Sequence, residues 1–448
     1  MTKGEAETAR ARGSVGGHTS WARANRSPAA TPPACVITPA ERRAVAYPSV
    51  VNIVHARLWR TTAVIGSDGL AEAVIATELG RRSLPVSLSQ LVSINALACD
   101  LRGVIDQGVH DHEVNLLTSY VAEATSGTPL TAHYSRLQAT SRHIRSFVSE
   151  CTGLGVMSAV SEELFAWKPG KRSLNSFDVL PRRLGAVFGM KGPRPDLLFH
   201  LETGAIAGEA RGRSRKEQTL FPKSATKPQK DRMLTLANWS IDNAGHPYFM
   251  SWVWIGPSGV VVDIFLPDDE QVTKSVVQDW TVSAEGGARW VMEPERPRRR
   301  RPATPVADFF GDASPENGPI LSERMRSNQV PAGMARRVSL EEYAAEADKR
   351  AEKMMDELYR HSATTVGSVA GVPVRGKWIT ANALGPATHE VLIGVLEAGI
   401  PRGGRAQRSR RSLGTDAVLD GRLLTVVRRL DEDRPSWERI ETDLLRPS

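Results

Sequence analysis

The sequence predicts an α/β (α+β) protein: a central core built on a mixed sheet, flanked by helical N- and C-terminal regions. Three observations predict it. Residues 151–292 run in the order helix, strand-like segments, helix, two more strands. Apolar residues recur at helical spacing in stretches on either side of that core. A proline- and arginine-rich break, EPERPRRRRPATPVADFFGDASPENGPI, then separates the core from the C-terminal region.

Composition sets the outer limits. A chain of 448 residues has room for about two to four domains at roughly 100–200 residues each. A hydrophobic content of 41% and three cysteines exclude collagen-like, disulfide-scaffold and wholly disordered classes. No apolar run approaches the roughly 20 residues of a membrane-spanning helix. There is no apolar leader segment, so the expected location is the cytoplasm, with no membrane partner. Cys35, Cys99 and Cys151 lack metal-site spacing. The net charge of +8 permits an anionic partner without requiring one.

Taken in order, residues 1–45 read as a disordered arm rich in Gly, Ala, Ser, Arg and Pro. Residues 46–150 read as mainly helical. DGLAEAVIATELGRR has Asp68 as a cap and Leu70, Val74, Ile75 and Leu79 at helical spacing. SLSQLVSINALACDLRGVIDQGV reads likewise, starting at Ser87 or Ser89. His110 and His112 have the residue type of metal ligands, but two histidines one apart on an exposed loop with no third ligand read as solvated polar residues. Residues 293–337 form the linker, and 338–448 read as helical, led by SLEEYAAEADKRAEKMMDELYRH with Ser339 as its cap. Arg298–Arg301 and the basic loop Arg402–Arg411 could grip phosphates nonspecifically, or serve solubility alone.

The core, 151–292, carries the chemistry. On its first helix Val156, Met157, Val160, Leu164 and Trp167 form one apolar stripe. Glu163 borders that stripe and Glu162 points away, so Glu163 is the acid able to face a site. Strand-like runs follow near 184–190, 194–200 and 205–211, the last two joined by a turn at Glu202, Thr203 and Gly204. Alternation puts Asp196, Leu198 and His200 on one face of their strand and Leu197 and Phe199 on the other. Glu209 and Arg211 share a face of the next strand. Such a hairpin brings Asp196 near Glu209. Two oxygen donors at a sheet edge suit Mg²⁺, which activates water and stabilises a leaving oxygen in phosphodiester hydrolysis, with a cation beside the scissile phosphate. The competing reading of Asp196, Glu209 and Arg211 is a structural ion pair across the hairpin.

Pro195-Asp196, twelve residues, then Glu209-Ala210-Arg211 resembles the PD-(D/E)xK, or restriction-endonuclease-like, nuclease superfamily, over about residues 150–270. The order of elements is also similar: a helix near 153–168, three strands, a helix near 227–243, and strands near 247–256 and 259–266. The resemblance implies Mg²⁺-dependent endonuclease activity on DNA, with Mn²⁺ able to substitute. It implies Asp196, Glu209 and Glu163 as metal ligands. Arg211 stands where the family has lysine. An arginine cannot exchange a proton as a tuned lysine does, but it can clamp a phosphate, and Lys216 is placed to take the vacant role.

The second helix adds phosphate-binding character. Pro228 suits its first turn, and Met233, Leu236, Ala237, Ser240 and Ile241 form its inward stripe. Lys227, Gln229, Lys230 and Arg232 crowd its start, and Arg213 and Arg215 with Lys223 precede it. Trp252, Trp254, Val261 and Ile264 read as core. The expected partner is DNA, with RNA and a homodimer left open. The alternative is a catalytically degenerate DNA-binding or interaction protein on the same scaffold. That chain would bind DNA in a salt-sensitive way without metal.

Overall fold

The computed structural model describes residues 52–100, 107–121, 129–165, 174–177, 188, 193–201, 204–216, 220–268, 287–294, 364–398 and 416–445. All belong to one compact unit, Tyr47–Ser448. The expected arm, the linker beyond Pro294, the helix expected from Ser339 and the basic loop Arg402–Arg411 lie outside the described residues.

The first described element corrects the sequence reading. Where helix is expected over 68–80, there is a long antiparallel hairpin of β1 (Asn52–Ile65) and β2 (Ala71–Val86). Asp68 does not cap a helix. Its Oδ1 accepts the Leu70 N–H at 3.0 Å, and Gly69 at φ +80° closes the turn. Ala, Glu and Leu favour helix, but Ala71, Ala73, Val74 and Ala76 find buried places on a two-sided sheet, and packing overrides propensity.

Helices follow: α1 (Leu88–Asp100), α2 (Gln107–Val121), α3 (Tyr134–Ala139) and α4 (Arg142–Phe165). The start of α1 at Ser87–Ser89 agrees with the sequence. His110 and His112 sit in α2, not in a loop, and His110 is buried. The α4 stripe of Val156, Met157, Val160 and Leu164 is buried as expected, but Glu162 is not on a solvent face. It is only 4% exposed and accepts a hydrogen bond from Gln90 Nε2 at 2.9 Å.

Next come β3 (Leu174–Ser176), β4 (Leu197–Leu201), β5 (Gly204–Ser214), α5 (Lys227–Asp242), β6 (Tyr248–Gly256), β7 (Gly259–Pro267) and β8 (Arg289–Met292). The strand beside β4 is therefore β3, and of the expected strand near 184–190 only Phe188 is described, outside any strand. These strands form one mixed eight-stranded sheet, ordered β3-β4-β5-β6-β7-β1-β2-β8. Strand β5 pairs parallel with β6, which requires a crossover, and α5 supplies it. Strand β1 pairs parallel with β7, so residues 55–61 are seated inside the sheet beside 261–267.

Alternation sorts the side chains onto two faces. Leu197, Phe199, Ile206, Phe249, Val253 and Ile264 join the core under α1, α2 and α4. Leu198, Ala207, Trp252, Trp254, Phe265 and Trp59 join an aromatic core under α5. The closest approach on the first face is between glycines. A Cβ on Gly212 of β5 would lie 1.6 Å from the Ser149 carbonyl oxygen, and one on Gly153 of α4 would lie 2.7 Å from the Gly212 nitrogen. Main chains thus touch where β5 carries its charged residues.

The C-terminal region is a second correction. Its described residues form an antiparallel five-stranded sheet, not a helical bundle. The strands are β9 (Thr364–Val369), β10 (Val372–Ala381), β11 (His389–Leu396), β12 (Asp416–Asp420) and β13 (Leu423–Arg429), ordered β12-β13-β11-β10-β9, with one helix α6 (Trp437–Leu445). Ala370 and Gly371, at φ 51° and 75°, make the two-residue turn of the first hairpin. This sheet caps α1: Asp416 Oδ2 accepts the Leu88 N–H at 2.9 Å, and its Oδ1 accepts the Ser89 hydroxyl at 2.5 Å. Among the described residues no helix is long and apolar enough to cross a membrane.

The glycine contact yields a prediction. Gly212→Ala forces α4 off β5 and should destabilise the protein by about 1–3 kcal/mol, the usual range for overpacking, seen as a fall in Tm. An unchanged Tm would show that α4 does not seat there.

Candidate functional site

The hairpin of β4 and β5 does bring Asp196 to Glu209. Asp196 stands just ahead of β4, where its N–H donates to the Gly208 carbonyl at 3.0 Å. Its Oδ2 accepts the Ala210 N–H at 2.7 Å. Strand β4 ends its pairing at Gly208, so this carboxylate takes over the β5 edge where the ladder stops. Glu209, one residue back on β5, is fully buried.

A buried carboxylate needs compensation, and guanidinium groups supply it. Arg232 of α5 meets Glu209 in a two-pronged contact, Nε to Oε1 at 2.7 Å and Nη2 to Oε2 at 2.6 Å. The same Nη2 donates to the Arg194 carbonyl at 2.8 Å. Arg211 Nη2 lies 2.5 Å from Glu209 Oε1. Burial first, and then the charge of Asp196, push the Glu209 carboxyl up to about 7, against the pull of Arg232 and Arg211.

Two residues expected to contact nucleic acid are therefore turned inward. Arg232 faces Glu209, because the i+3 step from Gln229 places it on the sheet side of α5. Gln229 is fully buried, and its Oε1 accepts the Thr226 N–H at 2.9 Å, closing the first turn of α5. Lys227 is exposed and Lys230 half-buried on the same helix start. Lys216 is exposed just beyond the end of β5. The side chain of Glu163 lies outside the described residues.

Both Glu209 oxygens are thus engaged. Oε1 meets two guanidinium groups and Oε2 one, so a divalent ion here would share the Glu209 carboxylate with two fixed positive charges. Among the described residues no group of three or more His, Cys, Asp or Glu side chains is placed to hold a metal ion.

The same face continues as a charged and aromatic strip. Glu209, Arg211 and Arg213 alternate along β5 beside Met250, Trp252 and Trp254 of β6. Arg213 lies 6.0 Å from the Trp252 ring and Arg215 5.2 Å from the Trp254 ring. Both tryptophans are buried, in agreement with the core reading. Strand register then carries the row through Trp252 to Asp263 of β7, Arg57 of β1 and Arg81 of β2.

Asp263 and Arg57 were not anticipated. Asp263 is fully buried, and it accepts from Arg57 Nε at 2.8 Å, Trp59 Nε1 at 2.9 Å and Trp254 Nε1 at 3.0 Å. The Arg57 guanidinium stacks 4.4 Å from Trp59, 4.5 Å from Phe221 and 4.7 Å from Trp290. Two signals for this pair stand in the sequence: an acid inside the apolar run VVVDIFL, and the alternation His55, Arg57, Trp59.

Comparison with family models, with curated proteins and with solved structures yields no match to this chain.

Two predictions follow from the buried charges. The Glu209 carboxyl titrates higher when folded than in an unfolded chain, so its contribution to stability is greatest at acid pH and declines as pH rises through about 7. Glu209→Gln should flatten that part of the Tm–pH curve. Matching slopes in both proteins would refute this. Arg57→Met leaves Asp263 buried without its cation and should destabilise by about 3–5 kcal/mol, measured by urea unfolding.

Proposed function

We propose that this chain is a nucleic-acid-binding protein on a nuclease-like scaffold, with DNA as its partner. One observation carries the reading: cations concentrate at the end of β5 and in the loop leading into α5, with Arg213 and Arg215 half-buried at the strand end and Arg213 paired with Glu150 at 3.6 Å. Lys216 and Lys227, at the end of β5 and the start of α5, are exposed beside them. Cations gathered beside a helix start favour phosphate. The element order α4, β3–β5, α5, β6 with a parallel β5–β6 pair supports the scaffold half of the reading, because it is the order the superfamily resemblance calls for. The saturation of Glu209 by Arg232 and Arg211 favours binding over hydrolysis.

Mg²⁺-dependent DNA cleavage is the second reading. The observation that favours it is the adjacency of Asp196 and Glu209, whose like charges oppose each other in one place.

The experiment measures DNA affinity against salt by fluorescence anisotropy, and plasmid cleavage with and without Mg²⁺. Binding is expected to weaken steeply with salt, with log K falling by about 0.9 per phosphate contact, and to persist in chelator. Lys216→Ala with Lys227→Ala should lower affinity about tenfold or more, in line with the loss of two charge-assisted contacts. Absence of DNA binding at low salt would refute the proposal. Plasmid cleavage by wild type, lost in Asp196→Ala and Glu209→Ala, would instead establish the second reading.

A further inference from the structure

At the far side of the α5 face, four strands from β5, lies a cleft of about 890 Å³. That is within the roughly 300–1,000 Å³ range of small-ligand sites. Its walls are strands β1 and β2 and the loop ahead of α5, and they present His55, Arg81, Arg82, Ser83, Phe221 and Lys223. Among the described residues, no acidic side chain lines it.

The cleft is preformed. The loop is pinned to the sheet at two points: Arg57 Nη2 donates to the Pro222 carbonyl at 3.3 Å, and Trp290 Nε1 donates to the Lys223 carbonyl at 3.1 Å. Those bonds fix Phe221 against the Arg57 guanidinium, with Arg81 5.7 Å from the same ring. Arg57 and Arg81 are register partners on neighbouring strands. Like charges directly opposed across a ladder are unfavourable. Asp263 answers Arg57 and Glu78 answers Arg81, the latter at 2.6 Å, while Lys223 and Arg82 add further positive charge to the rim. A ligand that suits these walls has a flat ring to lie against guanidinium and phenyl groups, and an anion to meet the rim.

We propose that this cleft binds a 5′-phosphorylated nucleotide, with its base against Phe221 and Arg81 and its phosphate on Arg82 and Lys223. The site is separate from Asp196 and Glu209 and does not depend on the DNA-binding reading. The same chemistry is offered by a free nucleotide and by the phosphorylated end of a strand.

Isothermal titration calorimetry on the full chain tests it with five probes: dAMP, deoxyadenosine, inorganic phosphate, and a 5′-phosphorylated and an unphosphorylated oligo-dA of about six residues. Saturable binding of dAMP, at least about tenfold tighter than either deoxyadenosine or phosphate, is expected from joining stacking to charge. Lys223→Glu and Phe221→Leu should each weaken dAMP about tenfold while the melting temperature stays near wild type; Arg82→Ala, at a half-buried rim position, provides a further variant if Phe221→Leu lowers it. A phosphorylated oligomer that binds more tightly than dAMP, and more tightly than its unphosphorylated form, identifies a strand end as the source. Equal binding of dAMP and the phosphorylated oligomer identifies the free nucleotide. If neither dAMP nor the phosphorylated oligomer saturates, or if all three variants bind like wild type, the proposal is overturned, whatever the DNA-binding result.

Discussion

Burying a carboxylate demands a cation at contact distance, and one face of the large sheet meets that demand twice. Glu209 is held by Arg232 and Arg211, and Asp263 by Arg57 with two indole N–H groups. Each pair ties together elements remote in sequence. Arg232 fastens α5 to β5, and Arg57 fastens the N-terminal hairpin to β7. An isolated buried ion would be intolerable, and a buried pair breaks even only when its remaining hydrogen-bonding capacity is filled. Here two tryptophan N–H groups donate to Asp263, and main-chain carbonyls of Pro222 and Arg194 accept from Arg57 and Arg232, so the ionic and aromatic parts of this core are one construction.

That construction decides the chemistry. The hairpin geometry that gathers Asp196 and Glu209 suits metal binding, but a guanidinium on α5 reaches the same carboxylate. An arginine carries a permanent charge and offers two parallel donors, a shape that matches a carboxylate better than a lysine does. Arg211 on β5 and Arg232 on α5 both reach Glu209, so its charge is answered from within the fold. Of the cations further along, Arg213 is paired with Glu150, and Lys216, Lys223 and Lys227 are exposed.

The central third of the fold was legible in the sequence because its elements are local and strongly patterned. Pro228 at the start of α5, the stripe of Met233, Leu236 and Ala237, and the alternation Leu197–Phe199 against Leu198 each specify one element unaided. The N-terminal hairpin was not legible. Ala71 to Leu79 carries helix-forming residues at helical spacing, and it is pairing with β1 across the hairpin and with the distant β8 (Val74 opposite Met292, Thr77 opposite Arg289) that makes it a strand. The C-terminal sheet was missed for a related reason: short runs such as VPVRGKWITA alternate, but the helical segment before them dominated the reading. The fates of Gln229 and Arg232 were equally non-local, since a basic or polar residue in a first helical turn serves solvent or core according to what lies beneath. Asp263 was the clearest missed signal, because an acid inside a run buried on both faces always implies a partner.

The seating of β1 beside β7 has a consequence for how this molecule can be dissected. The segment around the acidic pair has the look of a self-sufficient module, yet β7 is an interior strand only because residues 55–61 lie against it. Excising 151–292 would strip one flank of β7 of its neighbour, leave a row of main-chain donors and acceptors open to other chains, and strand Asp263 without its counter-charge. The autonomous unit therefore begins at the hairpin, and a shortened version lacking it is expected to self-associate rather than act as a miniature of the whole.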